Sequence, residues 1–265
     1  MTIGPFAAAT AVTPRGSGSY AAEVQPGWDI AGNANGGYLL AICARALRDA
    51  TGRPDPVTIT GHYLAPGRPG PVDVTADLVK EGKRFATGRA TMVAPDRPLL
   101  TVLGTFGDLS DVQEDLLVDG APPDLPPIDS CIRVEATDTF PPPFMGKVRL
   151  DLHPDDVAFA GERSGIARIR GWFQLVEDEP IDTIAMLCAL DAFPPTIFNT
   201  HLPVAWTPTV ELTCHVRARP TPGPLRCRFT TRFVTGGFLE EDGEIWDLDG
   251  RLVAQSRQLA LVPRG

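Results

Sequence analysis

An internal repeat constrains the fold of this chain more than any other feature. The stretch Gly61–Val74, GHYLAPGRPGPVDV, aligns with Cys214–Cys227, CHVRARPTPGPLRC, at an offset of 153 residues, so that His62 meets His215. The same offset aligns turns with turns over about 40 residues. A register kept over that length indicates a duplicated structural unit, because chance matches of glycine and proline do not stay in phase.

Each unit is predicted to hold one apolar helix and an antiparallel meander of four strands. Clusters of glycine, proline and aspartate separate the strand-like runs. This order of elements predicts an α+β fold made of two tandem modules. In the first module the predicted strands are Ser19–Val24, Val57–Leu64, Val72–Lys80, Phe85–Val93 and Leu99–Phe106, and the helix runs from Tyr38 to just before Gly52. In the second module the predicted strands are Val148–Leu152, Ala167–Leu175, Pro208–Ala218, Leu225–Phe233, Leu239–Trp246 and Leu252–Val262, and the helix is Ile181–Phe193.

The module boundaries follow from local composition. Residues 1–18 are small and polar with scattered prolines, which predicts a loose lead-in. The first module is predicted to span residues 19–116 and the second residues 131–265. Residues 117–130 between them are rich in proline and aspartate, a composition typical of linkers.

Composition and charge exclude several classes of function. The net charge of −9 argues against binding to nucleic acid. No apolar run reaches the length of a membrane span, and the N-terminus lacks the pattern of a signal peptide, so a cytoplasmic location is expected. The five cysteines show no paired spacing and are expected to be reduced. No metal-ligand spacing or nucleotide-binding motif occurs, so neither a metal nor a cofactor is predicted.

A single acidic residue lies inside the predicted second helix. After its first turn, the segment IDTIAMLCALDAF at Ile181–Phe193 contains only one polar residue, Asp191. A helix that is apolar on all sides is normally buried, and a buried carboxylate needs hydrogen-bond partners or a raised pKa. Asp191 is therefore either a functional carboxylate or a structural residue that caps the end of the helix.

A glycine-rich turn precedes the first helix. The residues Asn35, Gly36 and Gly37 would let a ligand oxygen approach the free N–H groups at the start of the helix. They are candidate substrate-binding residues. The alternative is an ordinary capped turn without any ligand.

Three segments carry a resemblance to a known family. They are GNANGGYLLAICARA at Gly32–Ala46, TPTVELTCHVRARP at Thr207–Pro220 and GRLVAQSRQLALV at Gly250–Val262. Together they resemble the type II acyl-CoA thioesterases, whose double-hotdog fold wraps an antiparallel sheet around a central helix in each of two modules. The third segment is the most specific of the three. The sequence departs from some relatives at Glu211-Leu212 and at Pro194-Pro195, which affects the expected shape of the pocket.

The resemblance implies a catalytic trio and a substrate. In that family an aspartate, a threonine and a glutamine hold a water molecule, and the matching positions here are Asp191, Thr209 and Gln258. The implied reaction is hydrolysis of a fatty acyl-CoA to fatty acid and CoA. Subtracting the repeat offset of 153 places Tyr38, Pro56 and Thr105 at the corresponding positions of the first module, so only the second module is expected to hold a reactive centre.

The surroundings of this predicted centre leave alternatives open. The donors for the oxyanion are expected to be backbone N–H groups, either of residues 35–37 or of Asp182 and Thr183. Four arginines, Arg45, Arg84, Arg217 and Arg219, either meet the phosphates of CoA or form an ordinary solvated surface.

Other functions remain in competition with hydrolysis. A non-catalytic protein that binds acyl-CoA or lipid would share the fold, because a fold alone does not give an activity. A hotdog hydratase would need a histidine beside Asp191, and His201 is the nearest in sequence. Serine-hydrolase chemistry is disfavoured because the chain has no G-x-S-x-G motif. Exposed sheet edges favour further self-association into a homo-oligomer.

Overall fold

The computed structural model describes residues 3–109, 117–138, 141–157, 159 and 161–263. The helices are α1 Pro5–Ala9, α2 Gly36–Thr51 and α3 Ala185–Ala189. The strands are β1 Thr13–Gly16, β2 Ser19–Val24, β3 Asp29–Ile30, β4 Asn33–Ala34, β5 Asp55–Tyr63, β6 Gly70–Glu81, β7 Ala86–Ala94, β8 Arg97–Gly107, β9 Ile132–Arg133, β10 Val148–Leu152, β11 Arg168–Leu175, β12 Thr209–Val216, β13 Leu225–Thr230, β14 Val234–Thr235, β15 Phe238–Trp246 and β16 Leu252–Leu261. Short 3-10 turns lie at Ile128–Ser130, Pro143–Gly146, Pro154–Asp156, Val176–Asp178 and Thr196–Asn199.

One continuous antiparallel sheet joins the two modules edge to edge. The strand order is β2-β6-β7-β8-β5 in the first module and β12-β16-β15-β13-β11 in the second, with β5 paired to β12. Thr60 and Thr213 lie directly opposite each other at this seam, with their Oγ1 atoms 2.8 Å apart. These two residues are separated by the repeat offset of 153, so the seam lies on the pseudo-twofold axis of the duplication. The predicted α+β double hotdog is confirmed.

Helix α2 forms the core of the first module. The Asn35 side chain caps it by accepting from Tyr38 N at 2.8 Å, and Gly52 ends it in the left-handed conformation at φ 62°. Ten of its residues, between Gly37 and Leu47, are buried, and it packs against β6, β7 and β8. The predicted helix is confirmed, beginning two residues earlier than expected.

The second predicted helix is much shorter than the segment Ile181–Phe193. Only Ala185–Ala189 is α-helical, and Asp182 caps it by accepting from Ile184 N and Ala185 N. Beyond it, Asp191 N bonds to Cys188 O, so the chain continues as a tighter turn. The Asn35 amide binds the carbonyl oxygen of Asp191 at 2.7 Å, and this contact between modules holds the turn in place of another helical bond.

The N-terminal segment is also more ordered than predicted. Helix α1 buries Phe6, and the backbone N–H groups of Phe6 and Ala7 donate to the Glu179 carboxylate of the second module. The predicted linker packs as well, since Pro126 O accepts from Trp172 Nε1 at 3.0 Å. The predicted ends of the lead-in and the two modules, at residues 1–2, 110–116 and 264–265, lie outside the described residues.

The sheet register corrects the repeat alignment in the last strand. Gln258 lies opposite Leu212, whose counterpart Ile59 lies opposite Gly104. The counterpart of Gln258 is therefore Gly104 rather than Thr105, because the second module carries one more residue before its last strand. Gly104 has no side chain, so the first module still lacks a glutamine at this position. Among the described residues, no helix is long and apolar enough to cross a membrane.

Candidate active site

A pocket of about 630 Å³ opens between the two modules. Asp191, Thr209 and Gln258 line it together, although they come from three separate segments of the second module. Asn35 and Gly36 line it from the first module, whereas Gly37 is not among the lining residues. The structure thus brings the predicted trio into one cavity.

The carboxylate of Asp191 is held by the start of helix α2. Its Oδ2 atom accepts from Gly37 N at 2.8 Å and from Asn35 Nδ2 at 2.9 Å. The start of a helix presents free N–H groups and a partial positive charge, which favour an anion. Both of these hydrogen bonds go to Oδ2, and Oδ1 keeps a lone pair that can accept from a water molecule in the pocket.

Burial and hydrogen bonding act on Asp191 in opposite directions. Burial raises the pKa of Asp191 from its ordinary 3.8 to about 6, while hydrogen bonds from Gly37, Gly36 and Asn35 favour the ionised form. A carboxyl group with this pKa is mostly ionised at neutral pH and is still a better base than an ordinary aspartate.

Thr209 and Gln258 form a hydrogen-bonded pair on neighbouring strands. Gln258 Nε2 donates to Thr209 Oγ1. Thr209 begins β12 beside a register shift in the β12–β16 ladder, and Gln258 lies on the inward face of β16. The bond fixes the orientation of the amide and leaves the hydroxyl hydrogen of Thr209 and the second N–H of Gln258 for other partners.

The structure gives Gly37 a role in packing, whereas the sequence pattern predicted that the glycines of this turn would let a ligand oxygen approach. A Cβ atom on Gly37 would lie 2.6 Å from Leu187 O and 2.8 Å from Asp191 Cβ. The absent side chain therefore permits the close contact between α2 and the turn that carries Asp191. Because the Gly37 N–H and the Asn35 amide already bind Asp191, they are not free to bind a substrate oxygen.

Two further residues of the pocket escaped prediction. Glu241 lies on the inward face of β15, is 8% exposed, and accepts from Thr196 N at 2.8 Å. Burial raises the pKa of Glu241 to about 7, and the charge of Asp191 contributes in the same direction. The alternation of β15 could have revealed it, since Glu241 occupies an inward position between Leu239 and Gly243.

The second of these residues is Tyr63, at the end of β5. Its hydroxyl is buried and has no hydrogen-bond partner among the described residues. A Cβ atom on Gly36 would lie 3.0 Å from this hydroxyl, so the ring packs against the start of α2. Burial raises the pKa of Tyr63 well above its usual range, with a smaller contribution from Asp191. The phenol is therefore neutral and contributes a polar edge beside the aspartate.

Comparison with known proteins decides the family. Residues 24–107 match the acyl-CoA thioesterase N-terminal domain, and residues 121–262 match the acyl-CoA thioesterase C-terminal domain. The chain belongs to the acyl-CoA thioesterase family. The first match lies inside the predicted first module, and the second begins at residue 121, inside the predicted linker.

The chain is also similar to solved structures and to a curated sequence. The chain is similar to a candidate thioesterase II from Thermobifida fusca YX, with 34% identity, coverage of 100% of this chain and 99% of that one, and a TM-score of 0.91. It shares the fold of acyl-CoA thioesterase II TesB2 from Mycobacterium marinum, at 17% identity, 98% coverage of each chain and a TM-score of 0.71. The chain is also 27% identical to an uncharacterised protein of Mycobacterium tuberculosis H37Rv, and the alignment covers 91% of this chain and 90% of that protein.

Several residues proposed for thioesterase or hydratase chemistry lie away from the pocket. His201 is exposed and does not line it, so Asp191 lacks the histidine that a hydratase needs. Among the described residues, no arginine, lysine or histidine lines the cavity. Arg45 instead pairs with Asp182, Arg84 lies over Phe85, Arg217 binds Gln255, and Arg219 pairs with Asp55 and Asp108.

The remaining predicted features are placed as follows. All five cysteines are free, and Cys43, Cys188, Cys214 and Cys227 are buried. The described residues contain no cluster of three or more histidine, cysteine or acidic side chains able to hold a metal ion. Asp182 and Thr183, the second predicted source of oxyanion donors, do not line the pocket.

Proposed function

We propose that this protein hydrolyses the thioester of a fatty acyl-CoA, releasing a fatty acid and CoA. One observation carries the proposal. Asp191, Thr209 and Gln258 share one pocket, and Asn35 Nδ2 and Gly37 N hold the Oδ2 atom of Asp191 in place. Membership of the acyl-CoA thioesterase family supports the same reaction.

In the proposed reaction, Asp191 Oδ1 accepts a proton from a water molecule that Thr209 and Gln258 orient. The water oxygen attacks the thioester carbon, and the carbonyl oxygen becomes an oxyanion. The second N–H of Gln258 is the proposed donor to this oxyanion, because Gly37 N and the Asn35 side-chain amide already bind Asp191. The C–S bond then breaks, and the proton held by Asp191 passes to the sulfur of CoA.

The walls of the pocket suit an acyl chain. Apolar side chains dominate its lining, and those of Leu190, Phe193, Phe198, Phe229 and Leu239 are buried. The volume of about 630 Å³ lies within the range typical of small-molecule sites. A long alkyl chain would gain the free energy of transfer from water to this apolar surface.

The test is thiol release from a panel of acyl-CoAs, from short to long chains, with wild type and Asp191→Asn. We expect wild type to turn over at least one chain length and the variant to lose about 100-fold, the typical contribution of a general base. Asp73→Asn is the matched control, since Asp73 forms an exposed ion pair with Arg15 outside the pocket.

Two other outcomes would contradict parts of the proposal. Equal turnover by wild type and Asp191→Asn would keep the hydrolase and reject Asp191 as its base. Tight binding of acyl-CoA without any thiol release would instead favour a non-catalytic acyl-CoA or lipid-binding protein.

A further inference from the structure

The pocket holds a second carboxyl group that the proposed hydrolysis does not use. Glu241 points inward from β15, is 8% exposed and lines the cavity. Its Oε2 atom accepts from Thr196 N at 2.8 Å, at the start of the 3-10 turn Thr196–Asn199. This hydrogen bond holds the side chain in a defined position, so the carboxyl group is a fixed part of the pocket lining.

Glu241 lies beside the proposed reaction centre. It stands directly opposite Gln258 in the β15–β16 ladder, and both side chains point inward. Cβ atoms of such opposed residues are about 4.5–5.5 Å apart. Glu241 is therefore within reach of the first carbons beyond the carbonyl of an acyl group bound at Gln258.

Among the described residues that line the pocket, none has a cationic side chain to balance the charge of Glu241. Its apolar neighbours in the pocket wall include Phe198, Phe229 and Leu239, all buried. The other carboxylate of the lining is Asp191, and no arginine, lysine or histidine appears among the described lining residues. An unsubstituted alkyl chain would displace water from Glu241 and give its carboxyl group no hydrogen-bond donor in return, which carries a free-energy cost.

We propose that Glu241 is a specificity-determining residue that selects acyl groups bearing a hydroxyl a few bonds from the thioester, so that the substrate class is the hydroxyacyl-CoAs. This inference rests on the proposed thioester hydrolysis and adds the chemistry of the acyl group. A hydroxyl suits the position because it can donate to an ionised carboxylate and can equally accept from a protonated one. A site that hydrogen-bonds a substrate hydroxyl rejects the analogue without it, since the polar group of the protein is then left unpaired.

The test compares kcat/KM for chain-matched pairs, butanoyl-CoA with 3-hydroxybutanoyl-CoA and octanoyl-CoA with 3-hydroxyoctanoyl-CoA. Wild type is expected to prefer the hydroxylated member by about tenfold or more, a fraction of the discrimination that buried polar sites reach. Glu241→Leu should lose this preference and gain activity on the unsubstituted member. Glu241→Gln should keep part of the preference, because an amide still donates and accepts, and it can still accept from Thr196 N.

Glu240→Gln is the matched control. Glu240 is the outward-facing neighbour on the same strand, accepts from Arg232 N and Phe233 N, and does not line the pocket. Its variant should keep the preference of wild type. If Glu241→Leu does not fold, the comparison of the two substrates in wild type and in Glu241→Gln still decides the matter.

Binding of non-hydrolysable thioether analogues of the same pairs separates this inference from the proposed function. A lower Kd for the hydroxylated analogue in wild type, lost in Glu241→Leu, supports the inference even if no thioester is hydrolysed. Equal kcat/KM and equal Kd within each pair would overturn it while leaving hydrolysis intact. A preference that persists unchanged in Glu241→Leu would overturn it as well.

Discussion

Two opposing effects set the pKa of Asp191. Burial disfavours its charge, and the start of α2 together with Asn35 restores part of the lost stabilisation. The result is a pKa near 6, which lies close to physiological pH, where a general base is most effective. The hydrogen bonds to Oδ2 also fix the orientation of the side chain, so the same contacts affect both the pKa and the orientation of the carboxylate.

This balance predicts a pH-dependent gain in stability for Asp191→Asn. The folded pKa of about 6 exceeds the ordinary 3.8, so the wild-type carboxyl group favours folding most below about pH 4 and loses that contribution as pH rises through 6. The variant does not ionise. Its Tm relative to wild type should therefore rise by a few degrees between pH 4.5 and 7.5, as measured by circular dichroism. A difference in Tm that stays constant over this interval would contradict the cause given for the raised pKa.

At the residue scale, the sequence indicated the members of the site better than their contacts. Asp191 was conspicuous as the one polar residue late in an apolar segment, and Thr209 and Gln258 followed from the family resemblance. The partnership of Asn35 and Gly37 with Asp191 could not be predicted, because it joins residues more than 150 positions apart. Glu241 was missed although its inward position follows from the alternation of β15.

At the scale of secondary-structure elements, the close contact between α2 and the turn after α3 sets the position of Asp191. Leu187 O and Asp191 Cβ approach Gly37 so closely that no side chain fits between them. The apolar pattern of Ile181–Phe193 predicted a full helix because pattern alone contains no information about this contact. The strand predictions succeeded more fully, since alternation and turn residues are local signals.

Gly37→Ala tests this contact. The added methyl group would lie 2.6 Å from Leu187 O and should cost about 1–3 kcal/mol of unfolding free energy, as overpacking usually does. It should also displace Asp191 and lower kcat more than it raises KM. Urea denaturation and steady-state kinetics would measure the two effects.

The control for this variant is Gly161→Ala. Gly161 has no neighbouring heavy atom within 4 Å of its would-be Cβ. Its variant should change neither stability nor turnover by a comparable amount. A Gly37→Ala protein as stable as wild type would show that the two elements can separate without cost.

At the scale of the whole molecule, duplication followed by divergence explains the arrangement of the site. The two modules share a sheet through the Thr60–Thr213 seam and resemble each other strand by strand. The second module supplies the trio, while the first supplies the N–H groups that hold Asp191. Neither module alone holds both the trio and the groups that bind Asp191, so joining the modules brings these residues together. The repeat in the sequence predicted this architecture. It did not predict that the first module would supply the groups that bind Asp191 of the second.

Whether Asp191 acts as the base is tested by the pH dependence of kcat/KM. It should be measured from pH 4.5 to 8.5 in wild type, in Asp191→Asn and in Glu241→Gln, which removes the second carboxyl group of pKa about 7. We expect a plateau at high pH and, in wild type and in Glu241→Gln, a fall of about tenfold per pH unit below about pH 6, where Asp191 becomes protonated. A profile that stays flat through pH 6 in Glu241→Gln, or an inflection near pH 6 that survives in Asp191→Asn, would contradict the role of Asp191 as the base.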